Sequence, residues 1–196
     1  MEPFDEKQSL QIITQMINTA KNKLQNNSFF FLLWGWAVLL ASVTHYVLWK
    51  QNYEYHFLPW PVLMTTAAIT SAVAGYRMSK ASLATSYIDN YIGTMWMYLG
   101  ISLFLVLLLV TAVANFRGAY VALMIFYGMG TLTTGTIIKF KPLIIGGIFA
   151  WVCAAALVWV DFPEGLLVLG ASVLGGYIIP GYILRAKRER NPEYGL

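Results

Sequence analysis

Residues 94–116 read TMWMYLGISLFLVLLLVTAVANF, without one Asp, Glu, Lys or Arg. A helix rises about 1.5 Å per residue, so a run of this length matches a hydrocarbon layer of roughly 30 Å. Inside lipid every backbone N–H and C=O must find a partner within the span, and a helix meets that demand locally. Working outward, similar runs occur at 29–49, 58–76, 119–138, 142–160 and 164–184. Together they predict an all-α polytopic membrane protein, a bundle of six transmembrane helices. Three regions follow: a cytoplasmic amphipathic helix over 1–28, the six-helix transmembrane domain over 29–184, and a basic cytoplasmic tail over 185–196.

Composition agrees. The 196 residues are 58% hydrophobic and 11% charged, where soluble domains carry about 25% charge. The net charge of +4 would suggest nucleic acid in a soluble protein. Here basic residues are expected beside membrane spans instead, and no nucleic-acid partner is predicted. With the N-terminus cytoplasmic, the inside segments hold Lys7, Lys21, Lys23, Arg77, Lys80, Lys139, Lys141, Arg185, Lys187, Arg188 and Arg190, eleven of the thirteen Lys and Arg. Lys50 and Arg117 fall outside, and the last outer loop carries Asp161 and Glu164. The excess of basic residues predicts both termini in the cytoplasm. The first apolar run follows 28 polar, amphipathic residues, so it reads as an uncleaved anchor rather than a signal peptide. Cys153 stands alone inside the fifth run and reads as a packed thiol.

Ahead of the first span, Leu10, Ile13, Ile17, Ala20 and Leu24 recur at spacings of three and four. That period predicts an amphipathic helix over 6–27, capped by Asp5 with Gln8 three residues on. It can lie on the leaflet, dock a partner, or cover the ends of its own bundle. Between the second and third spans, Leu83, Ile88, Tyr91 and Ile92 predict that the third helix starts before the membrane and carries Asp89 and Asn90. The even-numbered helices are rich in small residues and end in basic turns, while the odd-numbered ones carry Trp34, Trp36, Trp96, Trp151 and Trp159. Three related hairpins would give this pattern; positive-inside topology alone would give the basic endings.

No Asp, Glu, Lys or Arg lies deep in any of the six runs. Buried ionisable groups mark proton relays, ion paths and counter-ions, so proton-coupled transport, pumping and voltage sensing are not expected. No HExxH, P-loop, GxGxxG or buried aspartate pair is present. An enzyme is therefore not expected, and no cofactor is implied.

Three places remain where chemistry can sit. His45 and His56 flank the first outer loop among Tyr46, Trp49, Tyr53, Glu54, Tyr55 and Trp60. An interfacial aromatic belt accounts for them better than a metal site does. Thr66 and Thr70 on the second span, Thr131, Thr133 and Thr134 on the fourth, and Ser172 on the sixth could line a polar path, or serve as packing seams. Pro180 is expected to kink or end the last helix near Gly181. The basic tail with Arg185, Lys187 and Arg188 lies directly below the last span, where it fixes topology and meets anionic lipid.

Several stretches recur as a set: Trp34-Gly35-Trp36, Tyr53-Glu54-Tyr55-His56, Tyr127-Gly128 with Gly130, Lys139 to Gly147, and Ile179-Pro180-Gly181. Across about 30–190 the chain resembles a group of six-span bacterial inner-membrane proteins with no established activity. The resemblance implies topology and an inner-membrane location, and no catalytic or binding residue.

The leading expectation is a non-enzymatic membrane protein acting through association with a partner protein or anionic lipid at its cytoplasmic face. Leu10, Ile13, Ile17, Leu24, Asp89, Arg185, Lys187 and Arg188 would form that face, and small-residue seams would set packing or self-association. The alternative is a facilitative transporter or channel for a small neutral solute, lined by Thr66, Thr70, Thr131, Thr133, Thr134 and Ser172.

Overall fold

The computed structural model describes residues 10, 14, 28–81, 87–113 and 116–190, with the side chains at 79, 81, 87–90, 111–113, 116–117 and 187–190 excepted. Seven helices follow in order: α1 (Ser28–Lys50), α2 (Pro59–Ala81), α3 (Tyr87–Val113), α4 (Phe116–Ile137), α5 (Lys141–Ala156), α6 (Glu164–Val173) and α7 (Ile179–Arg190). A 3-10 turn, Leu157–Trp159, closes α5, and a π-helical turn, Leu174–Ile178, joins α6 to α7. No strand occurs among the described residues. The predicted amphipathic helix over 6–27 lies almost wholly outside them; within it, the Thr14 hydroxyl donates to the Leu10 carbonyl at 2.8 Å.

Five segments are long and apolar enough to cross a membrane: Ser28–Lys50, Tyr91–Val110, Gly118–Ile137, Lys141–Trp159 and Glu164–Ala186. The chain is a helical membrane bundle. Helix α2 equals α1 in length at 23 residues. Its Thr65, Thr66, Thr70, Ser71, Arg77 and Lys80 leave it less apolar than the other five.

Two helix ends share one device. After α1, Asn52 turns left-handed (φ 54°), its N–H bonds the Trp49 carbonyl at 2.9 Å, and the Tyr53 N–H bonds that of Leu48 at 3.0 Å. After α4, Lys139 does the same (φ 53°), with bonds from Lys139 to Thr136 at 3.2 Å and from Phe140 to Gly135 at 2.8 Å. This is the Schellman arrangement, which satisfies the last orphan carbonyls of a helix. Pro142 in the first turn of α5 lets the next helix start at once.

Helices α4 and α5 make the closest pair in the bundle. Glycine permits it. A Cβ on Gly147 would stand 2.8 Å from the Gly128 carbonyl and 2.6 Å from Leu132, and one on Gly135 would stand 2.9 Å from the Ile144 nitrogen. On its other side, α5 meets the π-turn backbone, where a Cβ on Gly146 would lie 2.8 Å from the Gly175 carbonyl and 2.9 Å from the Gly176 Cα. Helix α1 closes this core from the far side, packing on α6, the π-turn and α7. Met124, Ile138, Leu143, Leu157, Leu166, Leu169 and Leu184 are fully buried within it. The strongest pairing thus joins helices that the three-hairpin reading would assign to different repeats.

The main interface of α2 is with α1 and that of α3 is with α4; among the described residues α2 and α3 make no extensive contact with each other. Both are peripheral. Ala67 is the one buried residue among the described side chains of α2, and α3 turns Tyr98, Ile101, Phe104, Leu105, Leu108 and Leu109 outward.

Pro180 acts earlier than expected. A proline lacks its N–H and crowds the carbonyl four residues before it, so the adjustment falls on Leu174–Ile178, whose closing bond runs from the Ile179 N–H to the Leu174 carbonyl. The helix then continues past Gly181 to Arg190. It is bulged, not ended.

Candidate functional site

The predicted partner face is only partly within the described structure. Leu10 is exposed, and Arg185 is exposed on α7. Ile13, Ile17 and Leu24 lie outside the described residues, and the Asp89, Lys187 and Arg188 side chains are not described, although their backbones belong to α3 and α7. Arg77, Lys80, Lys139 and Lys141 add exposed cations at the C-terminal end of α2 and the α4–α5 turn.

The six hydroxyl residues of the proposed path do not share one environment. Thr131 and Thr134 are fully buried and Ser172 nearly so, whereas Thr66 and Thr133 are exposed and Thr70 is intermediate. Their hydrogen bonds run mostly along their own helices. Thr131 donates to Tyr127 at 2.8 Å and Gly128 at 3.0 Å, and Thr134 to Gly130 at 2.8 Å. Thr66 donates to Val62 and Thr70 to Thr66, both at 2.7 Å. One bond crosses between helices here: the Trp96 indole donates to the Thr134 hydroxyl at 3.1 Å, tying α3 to α4. Around it Phe31, Trp96, Tyr127 and Tyr177 meet edge to face or tilted, with centroids 5.5 to 6.3 Å apart. These rings fill the space between α1, α3, α4 and the π-turn.

The most organised polar cluster sits at the opposite end of the bundle from the exposed cations. Helix α1 buries Gly35, Val38, Ser42 and His45, spaced three, four and three residues apart as one face of a helix requires. Ser42 donates to the Leu166 carbonyl at 2.9 Å, joining α1 to α6. One turn on, His45 Nε2 and His56 Nδ1 stand 2.9 Å apart, and the Trp60 indole N–H donates to His45 Nδ1 at 2.8 Å. The two imidazole planes differ by 11°, with centroids 5.0 Å apart, so the rings meet edge to edge. Trp49 packs on His56 and on Phe162, each at 4.5 Å, and Phe162 also reaches His45 at 5.7 Å. Trp60 stacks on Tyr120 of α4 at 6.4 Å. At the rim, Lys50 bonds Glu164 at 2.8 Å.

The sequence predicts an interfacial belt here. Tyr53 and Tyr55 fit that description, being exposed. His45 does not: it is buried and hydrogen-bonded through both ring nitrogens. The signal was the spacing of Gly35, Val38, Ser42 and His45, which continues the inward face of α1. No group of three or more His, Cys, Asp or Glu side chains close enough to hold a metal occurs among the described residues.

No protein family, curated protein or solved structure matches the chain.

Proposed function

We propose that the chain is a non-enzymatic six-span protein of the bacterial inner membrane that works by association. Both termini are cytoplasmic in this reading, and α2 is the sixth crossing, long enough at 23 residues and shielded along one side by α1. The cytoplasmic face engages a partner protein or anionic lipid. The observation that carries the proposal is a contrast. The interior is filled by glycine–backbone contacts and fully buried side chains, while Arg77, Lys80, Lys139, Lys141 and Arg185 stand exposed at one end. A tightly filled core suits a scaffold better than a conduit, and a basic rim suits an anionic leaflet or an acidic partner surface.

The test is native mass spectrometry after gentle extraction from the protein's own membrane. We expect a stoichiometric second protein or a retained anionic lipid, lost from an Ile13→Glu/Ile17→Glu variant whose bundle still folds. Wild-type protein that carries neither companion, or a variant that keeps both, would sink the reading.

A further inference from the structure

The His45–His56 pair has a property that follows from counting protons. An indole N–H can only donate. The bond from Trp60 therefore requires His45 Nδ1 to be bare, and a neutral His45 then carries its proton on Nε2. That proton points at His56 Nδ1, 2.9 Å away, which must be bare as well. The chain runs in one direction, Trp60 to His45 to His56, and one tryptophan sets both tautomers.

One extra proton has no place in this chain. On His45 Nδ1 it would face the Trp60 N–H, donor against donor. On His56 Nδ1 it would face the His45 Nε2–H. Moving the His45 proton to Nδ1 rescues the second bond but breaks the first. A singly protonated pair keeps at most one of its two hydrogen bonds. The same count disfavours a metal between the rings, since both facing nitrogens would have to be bare and His45 would again turn an N–H toward Trp60.

We propose that His45, His56 and Trp60 form a proton-binding latch that holds the 51–58 loop and the first turn of α2 on α1 and loses one of its two hydrogen bonds when the pair takes up a proton. The loop depends on it. Of residues 51–58, His56 is the one that is not exposed; Tyr53, Glu54, Tyr55, Phe57 and Leu58 all face outward. Losing the His45–His56 bond removes the inward anchor of this loop, and losing the Trp60 bond loosens the first turn of α2. Charged groups on the surrounding elements are Lys50 on α1, Glu54 in the loop, Asp161 beside Phe162, and Glu164 on α6, all exposed. Lys50 is paired with Glu164, and Tyr46 lies under Lys50 at 5.5 Å. Phe162, Trp49 and Tyr120 carry no charge at neutral pH. Of these groups, only imidazoles ordinarily change charge between about pH 5 and 8. In acid one of the two bonds is thus lost, and with it either the inward anchor of the loop or the tie to the first turn of α2, on whichever side of the membrane they face. The latch requires the bundle geometry alone and stands apart from the association reading.

The experiment is amide hydrogen exchange on the full chain in lipid nanodiscs at about pH 7.5 and pH 5, each rate scaled by its intrinsic exchange rate. In wild type, protection over 51–60 should fall about fivefold in acid, the worth of one hydrogen bond, while α4 and α5 stay unchanged. His56→Gln offers an acceptor that takes no proton in this range, so its loop should be nearly as protected at both pH values. Trp60→Phe keeps a ring but lifts the constraint on His45 Nδ1, letting a protonated pair keep its mutual bond, so the acid response should shrink. Equal wild-type protection at the two pH values would overturn the latch. So would an undiminished acid response in both variants.

Discussion

Gly146 and Gly100 both lie inside apolar helices, and a methyl group added to each would meet opposite surroundings. At Gly146 it would press on the Gly175 carbonyl and the Gly176 Cα, at 2.8 and 2.9 Å. At Gly100 nothing among the described residues lies within 4 Å, nor at Gly93 or Gly75. The first glycine belongs to the core built by α4, α5 and the π-turn. The other three belong to α2 and α3. Lipid is as apolar as a protein interior, so hydrophobicity does not separate these regions; van der Waals packing does. The bundle is a tight core with two helices laid against it.

The sharpest way to break that distinction is to substitute both glycines. Gly146→Val should destabilise the bundle by about 3 kcal/mol, because rigid backbone must move to admit the side chain. Gly100→Ala should change stability by under about 1 kcal/mol, in the stabilising direction that helix propensity favours. Reversible unfolding in mixed micelles reads both. Comparable losses at the two sites would mean that α3 is covered as closely as α5.

Trp96 is the next largest handle, since with the buried Ile92 and Leu99 it ties α3 to the core. Its indole bonds Thr134 at 3.1 Å, its edge meets Phe31 and Tyr177, and its ring end lies 2.9 Å from where a Cβ on Gly130 would stand. Trp96→Ala should cost about 2 kcal/mol, below the range for a fully buried tryptophan because Trp96 is half-buried. In detergent, the loss of amide protection should be confined to α3. Loss spread evenly over α4 and α5 would show that α3 is part of the core after all.

The same difference decides what was legible in the sequence. The apolar runs over 29–49, 119–138 and 142–160 predict α1, α4 and α5 nearly to their ends, because lipid demands length and apolarity and both are written in composition. Which helix lies inside was not legible. Both faces of a helix such as α3 are apolar, so its outward Phe104 and Leu109 look no different from the fully buried Leu143 on α5. The small residues of the second, fourth and sixth spans read as seam or path, while Gly146 and Gly147 of α5 carry no such signal in the sequence. Choosing between seam and path needed the distance from one backbone to another, as at Gly147 and Gly128. His45 was misread for a different reason: its rank on a face was visible, but its partners come from 11 and 15 residues further on. Of the expected association face, Leu10 and Arg185 are exposed in the structure, and the remaining side chains lie outside its description.

The smallest effect separates the two hairpins by their turns. The tight α4–α5 hairpin is closed by Lys139 and the looser α1–α2 connection begins at Asn52, both left-handed at φ 53° and 54°. A side chain with an ordinary Cβ costs roughly 1 kcal/mol or more in that conformation, whereas asparagine visits it routinely. Glycine removes the cost but loses more chain entropy on folding. Lys139→Gly should therefore stabilise the bundle by about 0.5 kcal/mol, and Asn52→Gly should leave it unchanged within about 0.3 kcal/mol. Lys141 remains two residues on, so the basic turn keeps a charge for topology. A gain at Asn52 equal to that at Lys139 would place the strain in the backbone of both turns rather than in the lysine side chain.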